Sequence, residues 1–437
     1  MNKVIIILCL LSLTLTIDYS LSLISAVAYW INTGGNEKYA GLIFGIYDAS
    51  TIFITPILAW KIEKSKWSYK MIFISSLIIN IIGNASYSLA NYFNKWQLIA
   101  IGRFVSGIGA SVLPLLMVYV TKYMSKDEQP SAVSNIKYIS AISRVMGPII
   151  GSILTISTVH NRTIIEKLFN MYTMVGWIPI LIAIVAILII CKYFEDKGTD
   201  VMLPSYSVNP DDEKVPICEI IMDIMPIWII GFISTAIYWL MIGNGFTIAI
   251  YFFDIIENEH QLWKLYISGL GGFICAFILF TISKKALSGL RGMFISIIIQ
   301  TIGTYFFLIK RNWAFYVAVG VSTFGYGMMI PSVNIINNTI IKNYKENLGN
   351  FMGFMISILT AIQATARFVG PTAFSTYNFT KSIAGTNCDL SDVDHYNTSG
   401  CVITNYIKFS LIYISISSGL MILFVLLCYK CKAYKHF

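Results

Sequence analysis

Charge is scarce in this sequence: 12% of its 437 residues are charged, against about 25% in soluble domains. No Gly-x-x-x-x-Gly-Lys-[Ser/Thr] loop is present, which argues against ATP-driven chemistry. The eight cysteines lack metal-ligand spacing, and the four histidines fall in predicted loops and tails. We therefore expect no enzymatic activity, no cofactor and no metal site.

What is abundant is apolar sequence. Hydrophobic residues make up 56% of the chain, and the mean hydropathy is +0.71. A helix needs about 20 apolar residues to cross a bilayer. We predict twelve spans: 4–30, 40–60, 71–93, 97–121, 131–156, 170–192, 224–253, 262–282, 291–309, 313–341, 350–376 and 404–428. The chain is thus predicted to be an all-α, multi-pass membrane protein.

The net charge of +9 does not indicate nucleic-acid binding, because the basic residues lie in short loops between spans rather than in one patch. If the N-terminus is placed in the cytosol, the loops on the cytosolic side contain more Lys and Arg than the loops on the opposite side. This bias predicts that both termini lie on the cytosolic side and that the number of spans is even.

One polar segment divides the predicted spans into two groups of six. Residues 193–223 carry eight acidic residues, six of them between positions 195 and 213, and three prolines, a composition typical of a flexible linker. We predict an N-terminal six-helix bundle over 1–192, a cytoplasmic linker over 193–223, and a C-terminal six-helix bundle over 224–437.

Short patterns recur in the two predicted halves. Arg144-x-x-Gly147-Pro148 in span five matches Arg367-x-x-Gly370-Pro371 in span eleven. Gly107-x-Gly109 in span four similarly matches Gly325-x-Gly327 in span ten. Two patterns in the same order indicate an internal duplication, and six-span parallel repeats are a transporter architecture.

These residues also resemble motifs of the major facilitator superfamily. Arg103-Phe-Val-Ser-Gly107-Ile-Gly109 is similar to the fourth-helix motif of that family, and Gly147-Pro148-Ile-Ile-Gly151 is similar to its fifth-helix motif. The motif between helices two and three is degenerate here. The resemblance implies the major facilitator fold. Within the superfamily, Asp18, Tyr47 with Pro56, and Gly83-Asn84 most resemble the lysosomal proteins of the ceroid-lipofuscinosis type.

Ionisable side chains inside predicted spans are the main candidates for binding a substrate or a coupling ion. Each costs about 2.5–3.5 kcal/mol or more at membrane depth, so it persists where it faces a cavity or a partner. The candidates are Asp18, Asp48, Arg103, Lys137, Arg144 and Arg367. Because four are basic and two acidic, they favour an anionic solute.

Each candidate has a purely structural alternative. Arg103 either lines a cavity or pairs with Asp18 or Asp48, and Asp18 either carries a coupling proton or only sets helix register. Asp48 could instead be hydrated near the interface, and Lys137 could extend to the cytosolic surface. Arg144 and Arg367 have either a shared structural role or contact with the solute.

Glycine and proline residues mark points of close helix packing or bending. These are Gly107, Gly109, Gly147, Pro148, Gly151, Gly370 and Pro371.

The loop over 377–403 is predicted to face away from the cytosol. It contains glycosylation sequons at Asn378 and Asn397 and a candidate disulfide between Cys388 and Cys401. A third sequon, at Asn161, is predicted on the same side. The C-terminal Tyr434-Lys-His-Phe437 fits a sorting signal and favours a lysosomal or endosomal membrane, with the plasma membrane as the alternative.

Together these features predict a secondary transporter that works by alternating access on a small, anionic solute, with possible proton coupling through Asp18. The alternatives are an anion-conducting channel on the same fold and a scaffold or sensor that transports nothing. We expect a bilayer-embedded protein that acts as a monomer on a small-molecule or ion substrate.

Overall fold

The structure is a computed structural model of the 437-residue chain. It describes residues 3–36, 39, 42–64, 67–124, 128–155, 164–195, 217–243, 262–283, 289–309, 311–343, 362–367, 415–419 and 421–423. Every regular element in these ranges is helical.

The chain forms two compact units. The first comprises Met1–Glu213 with Lys345–Phe368, and the second comprises Lys214–Tyr344 with Val369–Phe437. The helices of the first unit are α1 (Lys3–Asn32), α2 (Leu42–Lys64), α3 (Tyr69–Phe93), α4 (Trp96–Ala110), α5 (Leu113–Tyr123), α6 (Gln129–Thr155), α7 (Ile164–Leu168) and α8 (Met171–Tyr193). The second unit contains α9 (Ile217–Gly243), α10 (Leu262–Ile282), α11 (Leu290–Tyr305), a 3₁₀ turn (Phe306–Leu308) and α12 (Asn312–Asn343).

Several of these helices are long and apolar enough to cross a bilayer. Among the described residues, six stretches meet this criterion: Lys3–Ser22, Tyr69–Phe93, Trp96–Val120, Met171–Tyr193, Leu290–Leu308 and Asn312–Ile330. Shorter apolar helices cover Gly45–Leu58, Ile224–Trp239 and Ile267–Phe280. Apolar side chains on the outside of such helices suit a lipid environment.

Helix α1 lies at the centre of the first unit, in contact with α6 and α8 along its length and with α2, α3, α4 and α5 at fewer points. Buried apolar residues such as Leu8, Leu11, Phe73, Leu116 and Val120 form the core around its N-terminal half. In the second unit, α12 packs against α9, α10 and α11. Helix α1 therefore contacts most other helices of the first unit, and α12 contacts the other helices described in the second unit.

The fourth predicted span is divided into two helices. Helix α4 ends at Ala110, and α5 begins at Leu113 with Pro114 in its first turn. Because proline has no N–H, it cannot continue the hydrogen-bond ladder of a preceding helix. Ser111 instead closes α4, since its N–H donates to the Gly107 and Ile108 carbonyl groups.

The second unit begins earlier than the predicted seventh span. Helix α9 starts at Ile217, within the stretch 193–223 that we predicted to be linker. Its first residues, Ile217-Cys-Glu-Ile-Ile-Met, are mostly apolar, which explains why the helix extends upstream. The predicted spans eleven and twelve fall largely outside the described residues.

Packing contacts in the two units repeat each other. In the first unit, a Cβ atom added to Gly83 on α3 would overlap Ser106 on α4. In the second unit, a Cβ atom added to Gly303 on α11 would overlap Ser322 on α12. Small residues thus let the corresponding helix pairs approach closely.

A second pair of contacts fixes the register of this repeat. A Cβ on Gly109 would lie 2.6 Å from the Ser76 carbonyl oxygen, and a Cβ on Gly325 would lie 2.8 Å from that of Ser296. The spacing from Gly109 to Gly325 equals that from Ser106 to Ser322, so Gly325 corresponds to Gly109. The match of Gly107 with Gly325 suggested by the sequence was therefore two residues out of register.

Candidate functional site

The centre of the first unit contains a fully buried ion pair between Asp18 on α1 and Arg103 on α4. The Arg103 Nη1 donates to Asp18 Oδ1 at 3.4 Å, and the two side chains are 2% and 1% exposed, respectively. The sequence left Asp18 and Asp48 open as partners of Arg103, and the structure places Asp18 against it.

Two asparagines on α3 hold the Asp18 carboxylate from the other side. The Asn80 Nδ2 donates to Asp18 Oδ2 at 2.7 Å. Asn84 lies one turn further along α3 and donates to the Asn80 Oδ1 and carbonyl oxygens, each at 3.1 Å. Since the Asn80 amide oxygen accepts from Asn84, its NH₂ group is turned towards Asp18. Both Asp18 oxygens therefore accept a hydrogen bond.

A second ion pair joins Asp48 on α2 to Arg367. The Arg367 Nε donates to Asp48 Oδ1 at 2.7 Å, and the Tyr19 hydroxyl donates to Asp48 Oδ2 at 3.2 Å. The Asp48 side chain is 1% exposed, whereas that of Arg367 is 16% exposed. The alternative that Asp48 is a hydrated interfacial residue does not describe this environment.

Two tyrosine rings lie between the ion pairs. The rings of Tyr19 and Tyr47 are 4.9 Å apart, and the Arg103 guanidinium lies over them at 4.5 Å from Tyr47 and 5.8 Å from Tyr19. A guanidinium over an aromatic face is attracted by the ring quadrupole. Through Tyr19 and Tyr47, the two ion pairs form one buried network, which we call the charge network.

The charge network is balanced, with two carboxylates (Asp18, Asp48) and two guanidinium groups (Arg103, Arg367). Charges buried in this way are stable when each is paired and hydrogen-bonded, and breaking one pair leaves an uncompensated charge. The network is therefore sensitive to any ligand or proton that changes its charge.

The other predicted charged residues lie on α6. Arg144 is partly buried and makes no ion pair or hydrogen bond within the described part of the chain. The helical backbone includes Lys137, whose side chain lies outside the described structure. Neither residue belongs to the charge network as described.

The predicted packing glycines of the first unit lie at helix contacts. A Cβ atom on Gly107 would overlap the Ser50 hydroxyl and the Tyr47 carbonyl oxygen on α2, and one on Gly147 would overlap Ser20 on α1. Gly151 is buried on α6, the helix that also contains Pro148. Gly107 thus brings α4 close to the helix that carries Tyr47 and Asp48.

Several predicted features fall outside the described residues. These are Gly370, Pro371, the sequons at Asn161, Asn378 and Asn397, the cysteines Cys388 and Cys401, and the tail motif Tyr434–Phe437.

Sequence reasoning missed Tyr19, which belongs to the charge network, and Asn80, which donates to Asp18. A usable signal was present for Asn80, because Asn80, Asn84 and Tyr87 recur at four- and three-residue spacing in an otherwise apolar stretch. Polar groups at such spacing share one helix face. Tyr19 gave no signal, since an isolated tyrosine in an apolar helix is common.

In the second unit, an uncharged hydrogen-bonded pair lies at the position that corresponds to Asp18 and Asn80. The Ser234 hydroxyl on α9 donates to Gln300 Oε1 at 2.6 Å, and Gln300 Nε2 donates to the Ser234 carbonyl at 3.2 Å. In the register of the repeat, Gln300 corresponds to Asn80 and Ser234 to Asp18, while Val319 corresponds to Arg103. Among the described residues, the counterpart of the Asp18–Arg103 pair in the second unit is therefore uncharged.

Comparison with protein families gives one match that spans most of the chain. The model of the Major Facilitator Superfamily matches residues 7–371.

Two curated relatives come from Schizosaccharomyces pombe. One, an uncharacterized MFS-type transporter, is 26% identical over 212 residues, which are 47% of this chain and 42% of the relative. The other, an uncharacterized protein, is 30% identical over 193 residues, which are 43% of this chain and 37% of the relative. The chain thus spans less than half the length of these relatives.

Solved structures share the fold over nearly the whole chain. A bacterial homolog of the human lysosomal transporter Spinster has a TM-score of 0.68 at 12% identity and covers 99% of this chain and 97% of its own. The human organic anion transporter MFSD10 has a TM-score of 0.67 at 12% identity, with coverage of 97% and 99%. A D-xylose-proton symporter has a TM-score of 0.68 at 12% identity, with coverage of 97% and 96%.

Proposed function

Because the chain belongs to the Major Facilitator Superfamily, we propose that it is a secondary transporter that moves a small, anionic solute by alternating access. The residues that we assign to solute or coupling-ion binding are Asp18, Asp48, Arg103, Lys137, Arg144 and Arg367.

The observation that carries this proposal is the charge network itself. Two ion pairs, Asp18–Arg103 and Asp48–Arg367, are buried within helices that are otherwise apolar. Charged side chains at membrane depth are costly and typically mark solute pathways or proton relays. A purely structural role would be served as well by apolar packing, which is often at least as stable as a buried ion pair.

Basic residues outside the charge network favour an anionic solute. The charges of Arg103 and Arg367 are balanced by Asp18 and Asp48, whereas Arg144 and Lys137 are additional positive charges on α6. An excess of positive charge at a binding cleft raises the local concentration of anions. MFSD10, which shares the fold, is an organic anion transporter.

Asp18 is the group that we assign to proton coupling. The charged or titratable side chains around it are Arg103 on α4, Tyr47 on α2 and Tyr87 on α3. Two further helices pack against α1. Helix α6 carries Lys137 and Arg144, and helix α8 carries Tyr172. Protonation of Asp18 would neutralise the partner of Arg103 and free this guanidinium for the solute. A proton-coupled carrier of the same fold, the D-xylose-proton symporter, has a similar structure.

Alternating access requires two bodies that rock around the solute. We assign these to the predicted bundles over 1–192 and 224–437, the second extended upstream to Ile217 by α9, with the linker formed by the residues between 193 and the start of α9. The Gly-Pro pairs Gly147-Pro148 and Gly370-Pro371 are the proposed points of bending, because proline leaves a backbone carbonyl group without its helical donor.

We further propose that the protein resides as a monomer in a lysosomal or endosomal membrane, with the plasma membrane as the alternative. The loop over 377–403 would then be lumenal, glycosylated at Asn378 and Asn397, and closed by a Cys388–Cys401 disulfide. Asn161 would be glycosylated on the same side. Glycosidase treatment, with Asn→Gln variants, tests these positions, and microscopy of the tagged protein tests the membrane.

Flux measurements in proteoliposomes test the transport proposal. We expect radiolabelled organic anions to enter by a saturable process that accelerates when a proton gradient is imposed. Ohmic anion current in a planar bilayer would instead support the anion-conducting channel. Absence of both flux and current for all solutes tested would contradict transport altogether.

A further inference from the structure

One edge of the Arg103 guanidinium is buried without a partner. The side chain is 2% exposed, and Nη1 donates to Asp18. Its Nε and Nη2 groups have no hydrogen-bond acceptor within the described part of the chain. An unpaired buried donor typically costs about 1–3 kcal/mol, and more when it is charged. The ion pair with Asp18 therefore accounts for only one of three guanidinium nitrogens.

The geometry of this edge is specific. Nε–H and one Nη2–H point in nearly parallel directions, which is the arrangement that binds two oxygens of one oxyanion. The Arg103 Cζ lies over the Tyr47 ring, 4.5 Å from its centroid, and Tyr47 supplies no acceptor to Nε or Nη2. Asp18 lies at Nη1, so the Nε–Nη2 side has no acceptor among the described residues.

Buried hydroxyl groups lie on the same helices. The Ser106 hydroxyl has no hydrogen-bond partner among the described residues, and the Ser25 and Tyr87 hydroxyls lie next to each other without a well-aligned hydrogen bond. Ser25 lies two turns from Asp18 on α1, and Ser106 lies one turn from Arg103 on α4, so each shares a face with that residue. Tyr87 is within electrostatic reach of both Arg103 and Asp18. Several unused donors thus converge on one seam between α1, α3 and α4.

We propose that the Nε–Nη2 edge of Arg103, with the Tyr87 hydroxyl, is a subsite for a carboxylate group of the solute. This inference rests on the proposed function, because it names the chemical class of the anion that the transporter binds. Arg103 already balances Asp18, so a second, singly charged group adds less uncompensated charge than a phosphate dianion would. The subsite therefore selects monocarboxylates over phosphate and over neutral amides.

Ligand binding to the purified full chain in detergent tests this subsite. The probes are acetate, lactate and benzoate, each compared with its neutral amide and with inorganic phosphate, by titration calorimetry and thermal shift. We expect at least one monocarboxylate to bind, with Arg103→Lys weakening it about 10- to 100-fold, because lysine keeps the charge but lacks the two-donor edge. Tyr87→Phe, which keeps the ring, should weaken binding about 3- to 10-fold.

Matched substitutions outside the site provide the controls. Arg311→Lys and Tyr92→Phe change exposed residues of the same types and should leave the affinity unchanged. If Arg103→Lys fails to fold, Tyr87→Phe alone decides the result.

The outcomes separate this inference from the proposed function. Equal carboxylate affinity in wild type, Arg103→Lys and Tyr87→Phe would overturn the subsite, as would tighter binding of phosphate or of the amides. Transport of a neutral solute without carboxylate binding would overturn the subsite and the anionic solute but leave the carrier intact. Carboxylate binding that depends on Arg103, without any flux, would support the subsite and contradict transport.

Discussion

Arg367 donates from Nε to the Asp48 carboxylate at 2.7 Å, although the two residues are 319 positions apart in the sequence. The second Asp48 oxygen accepts from the Tyr19 hydroxyl at 3.2 Å. Both carboxylate oxygens are thus occupied, and α1, α2 and the segment 362–367 meet at one buried charge. A charge with this many partners is expected to affect stability and transport together.

Removal of the Asp48 charge should destabilise the protein, because Arg367 then loses its partner. We expect Asp48→Asn to lower the free energy of unfolding by about 1–3 kcal/mol, a moderate loss because Arg367 is partly exposed. The double variant Asp48→Asn/Arg367→Gln should lose less than the sum of the single variants. Chemical unfolding of the four proteins in detergent measures this, and strictly additive losses would refute the coupling.

The Asp18–Arg103 pair should be the more sensitive of the two. Arg103 is fully buried, whereas Arg367 is partly exposed, so water cannot compensate the guanidinium when Asp18 is changed. Asp18→Asn should cost about 3 kcal/mol, more than Asp48→Asn, under the same unfolding conditions. A larger loss for Asp48→Asn would contradict the burial on which this ranking depends.

Close packing of α4 on α3 gives a prediction about single methyl groups. Gly109→Ala places a Cβ 2.6 Å from the Ser76 carbonyl oxygen, so we expect the midpoint of thermal unfolding to fall by several degrees. Gly325→Ala should behave alike, since Gly325 makes the equivalent contact with Ser296.

Gly271→Ala on α10 is the control for this pair. No atom lies within 4 Å of the added Cβ among the neighbours of Gly271, and alanine is the better helix former by about 1 kcal/mol. Its unfolding midpoint should be unchanged or higher. Similar losses for all three variants would mean that helix packing does not explain the glycines.

Much of this architecture could be predicted from the sequence because it depends on patterns along single helices. The superfamily and the all-α membrane fold are confirmed by the family match and the structural neighbours. The partner of Arg103 could not be chosen, because Asp18 and Asp48 lie on different helices whose rotation about their axes the sequence does not specify. The sequence places Gly107 opposite Gly325 because that alignment matches two glycines, whereas the register set by the helix contacts matches Gly109 with Gly325 alone.

The neutral counterpart in the second unit should contribute stability without pH dependence. Ser234→Ala removes the hydroxyl that donates to Gln300 Oε1 at 2.6 Å, so we expect a loss of about 1 kcal/mol. The dependence of uptake on the proton gradient should match that of wild type. A changed dependence would show that coupling extends beyond the charge network.

The central claim is that the charge network couples solute movement to protons through Asp18, and simultaneous flux measurement tests it most directly. Proteoliposomes that contain a pH-sensitive dye would take up radiolabelled monocarboxylate. The proteins compared are wild type, Asp18→Asn and the exposed control Glu195→Gln, and each flux is normalised to the amount of folded protein. We predict that protons enter with the solute in wild type and Glu195→Gln, whereas Asp18→Asn still exchanges solute but moves no protons. Proton entry that persists unchanged in Asp18→Asn would contradict the account.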